Sequence, residues 1–89
     1  MILKIAYNEN SARLVEYFKE NFPNLEIEAY NEDIYKERSD AFILKSHWGT
    51  RETPFAILCD SKDKAIKGFY SEVSECTINN ITDNLIGYE

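Results

Sequence analysis

Two near-continuous apolar runs of strand length, "ILKIAY" at 2–7 and "PFAILCD" at 54–60, constrain this chain most. A strand that is apolar along its length, instead of on every second residue, needs cover on both faces. With 89 residues the chain has material for one core, so that cover must come from its other segments. The expectation is a single domain over 1–89 in which helices lie on both faces of a sheet.

The other segments carry the required periods. In "ARLVEYFKENF", Leu14, Val15, Phe18 and Phe22 recur at helical spacing and leave Arg13, Glu16, Lys19 and Glu20 to solvent. Asn10 or Ser11 is placed to cap this helix, and Pro23 ends it, because the residue before a proline avoids helical angles. "LEIEAY" (25–30) alternates, with Leu25, Ile27 and Ala29 opposite Glu26 and Glu28, and reads as a strand with a wetter side, such as an edge strand. "NEDIYKERSDAFILKSHW" (31–48) reads as a second helix, with Asn31 or Asp33 near its cap and Gly49 closing it. "AIKGFY" (65–70) returns from "PFAILCD" through the polar turn "SKDK". A closing helix over "SECTINNITDNLI" (74–86) places Ile78, Ile81, Leu85 and Ile86 on one face. The order is β-α-β-α-β-β-α. The first two strands should be parallel with a right-handed crossover, the last two antiparallel.

Composition excludes several functions. A net charge of −6 argues against nucleic acid or an anionic membrane as direct ligand, since phosphate binding needs clustered Lys and Arg. The acids are interspersed with Lys4, Arg13, Lys19, Lys36, Arg38 and Lys45, a pattern that reads as a solvated surface. No signal-peptide pattern or membrane-length apolar window occurs, so a cytoplasmic protein is expected. Cys59 and Cys76 have no metal or CxxC spacing and read as buried or idle thiols. His47 reads as a surface histidine near a helix C-terminus, and Trp48 as packed beneath the following loop or, second, at an interaction rim. No phosphate loop, nucleophile elbow or paired-carboxylate motif is present, and no metal or cofactor is expected.

One stretch carries a family resemblance. "WGTRETPFAILCD" (48–60) is similar to the thioredoxin pattern of an aromatic, Gly, any residue, Arg, two further residues, Pro, then an apolar strand. The glutaredoxin form, Gly-x-Arg-x-Val-Pro, has the same spacing, with Thr53 here in place of Val. Gly68-Phe69 resembles the Gly-Phe that closes the last strand of small glutaredoxins. The resemblance covers essentially the whole chain and implies an α/β thioredoxin-like fold, with a mixed four-stranded sheet. It also implies a cis Thr53–Pro54 bond beside the family's groove, where an extended peptide or glutathione backbone pairs as an added strand.

The chain departs from the family where redox chemistry resides. Redox members place a cysteine at the start of the first helix, where free N–H groups and the helix dipole stabilise a thiolate. Here Asn8 or Glu9 stands near the first cysteine's place and Ser11 near the second's, within "YNENSARL". An enzyme is therefore not expected. The leading reading is a redox-inactive binding or adaptor module for a protein or peptide, with Tyr7, Asn8, Ser11, Arg51, Thr53 and Pro54 lining the groove. The alternatives are a small acidic phage-type inhibitor of a host enzyme, and an atypical, glutathione-linked thiol oxidoreductase using Cys59 or Cys76.

Overall fold

The two apolar runs take the two central places in the sheet. The computed structural model describes residues 2–59, 65–70 and 82–83. Its elements are β1 (Ile2–Tyr7), α1 (Ala12–Asn21), β2 (Glu26–Asn31), α2 (Tyr35–His47), β3 (Phe55–Cys59) and β4 (Ala65–Tyr70), with a 3-10 turn over Glu9–Ser11 ahead of α1. The strands form one sheet in the order β2-β1-β3-β4. β2 runs parallel to β1, while β1 with β3 and β3 with β4 are antiparallel. β1 and β3 thus have neighbours on both sides, and the alternating strand β2 lies at an edge. The closing helix expected over 74–86, apart from residues 82–83, the turn at 61–64 and Cys76 lie outside the described residues.

Each face of the central strands is covered by a different helix. Leu3 and Ile5 of β1 and Ala56 and Leu58 of β3 meet Leu14, Val15, Phe18 and Phe22 of the α1 segment. On the other face, Ala6, Phe55, Ile57 and Cys59 meet Ala41 and Leu44 of α2. This division explains the lack of alternation in both runs, since successive side chains enter different cores.

The two helices are anchored very unequally. Phe18 is fully buried and touches Tyr17 edge-on at 5.3 Å between ring centres and Phe22 at 5.9 Å. Buried side chains of this kind contribute about 1.5–3 kcal/mol each. After the last turn of α1, the Phe22 N–H bonds the Phe18 carbonyl and the Leu25 N–H bonds the Phe22 carbonyl, so the backbone stays paired around Pro23. α2 buries only Ala41 and Leu44, whereas Tyr35, Phe42 and Ile43 stand 85%, 66% and 62% exposed.

The caps differ from expectation. Neither Asn10 nor Ser11 bonds the start of α1 through its side chain; Asn8 instead caps the 3-10 turn that precedes the helix. α2 begins at Tyr35, with Ile34 in the cap position, so neither Asn31 nor Asp33 caps it. Asn31 Oδ1 accepts the Asp33 N–H at 2.9 Å, and Asp33 Oδ2 accepts the Glu9 N–H at 2.8 Å. Short polar side chains satisfied by nearby backbone in this way hold the chain in turns and delay the helix. Gly49 closes α2 as expected: its φ is +74°, and the Thr50 N–H bonds the Lys45 carbonyl at 2.9 Å.

Phe18→Ala should lower unfolding stability by about 3–5 kcal/mol, the range for deleting a well-packed aromatic. Urea unfolding monitored by circular dichroism measures this. A loss below about 1 kcal/mol would mean that the α1 face is not the main core.

Candidate functional site

Three loops converge at one end of the sheet, and Glu32 joins them. The first follows β1. There the Ser11 N–H donates to Asn8 Oδ1 at 3.1 Å, the Asn8 N–H donates to Ser11 Oγ at 3.0 Å, and the Ser11 hydroxyl returns to Asn8 Oδ1 at 3.0 Å. Reciprocal bonding of this kind satisfies N–H groups that a helix start leaves without partners. Ser11 is 2% exposed, so its hydroxyl is sealed inside the turn.

The second loop links β2 to α2, and it carries Glu32. The Glu32 N–H bonds the Tyr7 carbonyl at 2.8 Å, extending the β1–β2 pairing, and Arg38 Nε donates to the Glu32 carbonyl at 3.1 Å. The third loop precedes β3, and its Thr53–Pro54 peptide is cis. Thr53 Oγ1 donates to Glu32 Oε2 at 2.9 Å and accepts from Lys45 Nζ at 2.8 Å. Lys45 Nζ closes the triangle on Glu32 Oε2 at 2.8 Å. A hydroxyl has one donor and two lone pairs, so these roles are mutually compatible.

Burial alone would raise the Glu32 carboxyl. Hydrogen bonds from Lys45 and Thr53, the Lys45 charge and a hydrogen bond with the Asn8 side chain outweigh that cost and hold it below the ordinary carboxylate range. Glu32 therefore touches the Asn8 turn, the α2 terminus and the Thr53 loop with one side chain.

Of the residues singled out from sequence, Asn8 and Thr53 meet through Glu32, Ser11 is locked onto Asn8, and buried Pro54 follows Thr53. Tyr7 is half-buried against the α1-side core; burial first, then the negative charge of Glu37, push its hydroxyl up, opposed by a hydrogen bond with Asn31. Arg51 is exposed and makes no ion pair among the described residues. The Thr53 hydroxyl is turned inward, whereas the β1–β3 ladder begins only at Phe55. His47 is exposed, and Trp48 is partly buried against the α2-side core with His47 edge-on to it at 4.9 Å.

Sequence reasoning missed Glu32 and Lys45. Lys45 and Lys4 were expected on a solvated surface, yet their side chains are only 12% and 17% exposed. Lys45 stands directly after buried Leu44, and Lys4 lies between Leu3 and Ile5. A lysine set within an apolar run is the signal that marks both.

The fold has a solved counterpart. A structure of thioredoxin 1 from the thermophilic eubacterium Thermosipho africanus TCF52B superimposes with a TM-score of 0.63, covering 97% of this chain and 96% of that one at 19% sequence identity. No protein-family model matches the sequence, and no curated protein matches it. The chain has a thioredoxin-like fold.

Glu32→Gln should cost about 1–3 kcal/mol, because it leaves the enclosed Lys45 ammonium without its carboxylate. The folded-state pKa of Glu32 lies below its unfolded value, so its contribution is complete above the unfolded carboxylate pKa of about 4.3 and is lost as pH falls through the folded one. Unfolding free energies measured from pH 7 downward should therefore converge for the two proteins in acid. A constant gap across that range would remove Glu32 as the titrating link.

Proposed function

We propose that this chain is a thioredoxin-like binding module that captures an extended protein segment between the Asn8–Ser11 turn and the Thr53–Pro54 loop, without thiol chemistry of its own. The observation that carries this reading is the reciprocal Asn8–Ser11 bonding. Where the resemblance puts reactive sulfur, the chain has an amide and a hydroxyl that satisfy each other and the local backbone. A nucleophile needs an accessible atom and a base to activate it. Buried Ser11, already engaged with Asn8, has neither at hand.

The recognition elements left are backbone and charge. The segment before Phe55 lies outside the β1–β3 ladder, which supports a reading in which the Thr53 backbone pairs with an added strand. Exposed Arg51, two residues earlier, supplies a fork of donors for a carboxylate on the partner. The thiol alternative has little support at Cys59, which is completely buried on the α2 side of β3. The acidic-inhibitor alternative draws on composition alone.

Affinity capture from native lysate, with and without strong reductant, tests the proposal. A partner held equally with reductant, retained by Cys76→Ser and lost with Arg51→Ala is the expected result. A partner trapped only without reductant, or one indifferent to Arg51→Ala in a folded protein, overturns it.

A further inference from the structure

A second site lies away from the groove, between α2 and the edge of the sheet. There a cavity of about 270 Å³ is lined by Lys4 of β1, Tyr30 of β2, Asp40 and Leu44 of α2, and Trp48 at the α2 terminus. It shares no residue with the groove. Its volume lies just below the range of small-molecule sites, about 300–1,000 Å³, and suits a single-ring compound.

The cavity has two opposite charges and aromatic walls. Lys4 faces Glu28, its direct neighbour in the parallel register, with Nζ and Oε2 3.7 Å apart. The Tyr30 hydroxyl donates to the same oxygen at 3.4 Å. Asp40 makes no ion pair among the described residues. Burial first, then the negative charge of Glu28, push the Tyr30 hydroxyl up; Lys4 opposes them and Asp40 adds to them. The cavity lining thus holds a cationic side chain, Lys4, and an anionic one, Asp40, beside Tyr30. Leu44 supplies apolar floor, and the Trp48 indole, braced edge-on by His47, supplies a wall.

We propose that this cavity binds a small zwitterion with a ring or large apolar body, namely a free aromatic or large aliphatic α-amino acid. Its carboxylate pairs with Lys4, its ammonium with Asp40, and its side chain packs on Tyr30 and Trp48. A ligand of this size in an open cavity binds in roughly the millimolar range.

The protein contains its own reporter, because Trp48 is the single tryptophan. Its fluorescence is titrated with L-phenylalanine, with phenethylamine, which lacks the carboxylate, and with 3-phenylpropanoate, which lacks the ammonium. The expected result is a saturable change with phenylalanine and about tenfold weaker binding of each singly charged probe. Asp40→Asn, at an exposed helix position, should weaken phenylalanine about tenfold and leave 3-phenylpropanoate unchanged. Lys4→Met, if folded by circular dichroism, should do the converse, and Arg51→Ala should change nothing. No saturable response to phenylalanine up to ~10 mM, equal binding of all three probes, or a folded Asp40→Asn protein that binds phenylalanine as before would overturn the proposal.

Discussion

The arrangement of the three loops at one end of the sheet depends on one carboxylate. Glu32 accepts from Lys45 and Thr53 within 2.9 Å, bonds the Asn8 side chain, and through its backbone continues the pairing of the first two strands. These contacts lie on three segments of the chain: Tyr7–Asn8 at the end of β1, α2, and the loop before β3. A carboxylate saturated with donors resists displacement because any motion leaves a desolvated charge unpaired. The loops it joins are the ones with least regular structure, and the network gives them the fixity that helices and strands obtain from their own ladders. Thr53 illustrates the result: its hydroxyl is held inside the network while its backbone stays outside the sheet pairing.

The same network compensates for the weak anchoring of α2. α1 is held by a ladder of large apolar side chains, and its position follows from core packing. α2 buries one alanine and one leucine, far less than is usual for a helix of 13 residues. Its seating relies on polar contacts: Lys45 near its end reaches Glu32 and Thr53, and Arg38 in its first half reaches the Glu32 carbonyl. The helix that covers the second face of the sheet is thus positioned by the residues that join the three loops. Fold and site are coupled on this side of the molecule and largely independent on the other.

How far this was legible in the sequence follows from the type of force involved. Apolar periodicity revealed α1, the central strands and the alternation of β2, because burial leaves a spatial period in the chain. The backbone of Gly49 was legible because a left-handed position favours glycine. The start of α2 was not, because Asn31 and Asp33 are good caps by residue type but are used by nearby backbone groups instead. Glu32, Lys45 and Thr53 are separated by 13, 8 and 21 residues, and no period connects them. Hydrogen-bond networks assembled by tertiary folding leave only an indirect trace, here a lysine beside a buried leucine.

The Asn8–Ser11 turn uses its polar groups on itself. A cysteine at a helix start draws on the free N–H groups there to hold a thiolate, so those donors serve reactivity. Asn8 and Ser11 use the same donors to close the turn, and the start of α1 becomes structural. Under the proposed binding role, a partner would meet the geometry around Thr53, set by Glu32, and the exposed charge of Arg51. Recognition of the proposed kind would discriminate by the shape and charge of an extended segment. The proposed role requires a rigid loop before β3, and the most heavily bonded carboxylate among the described residues, Glu32, holds that loop through Thr53.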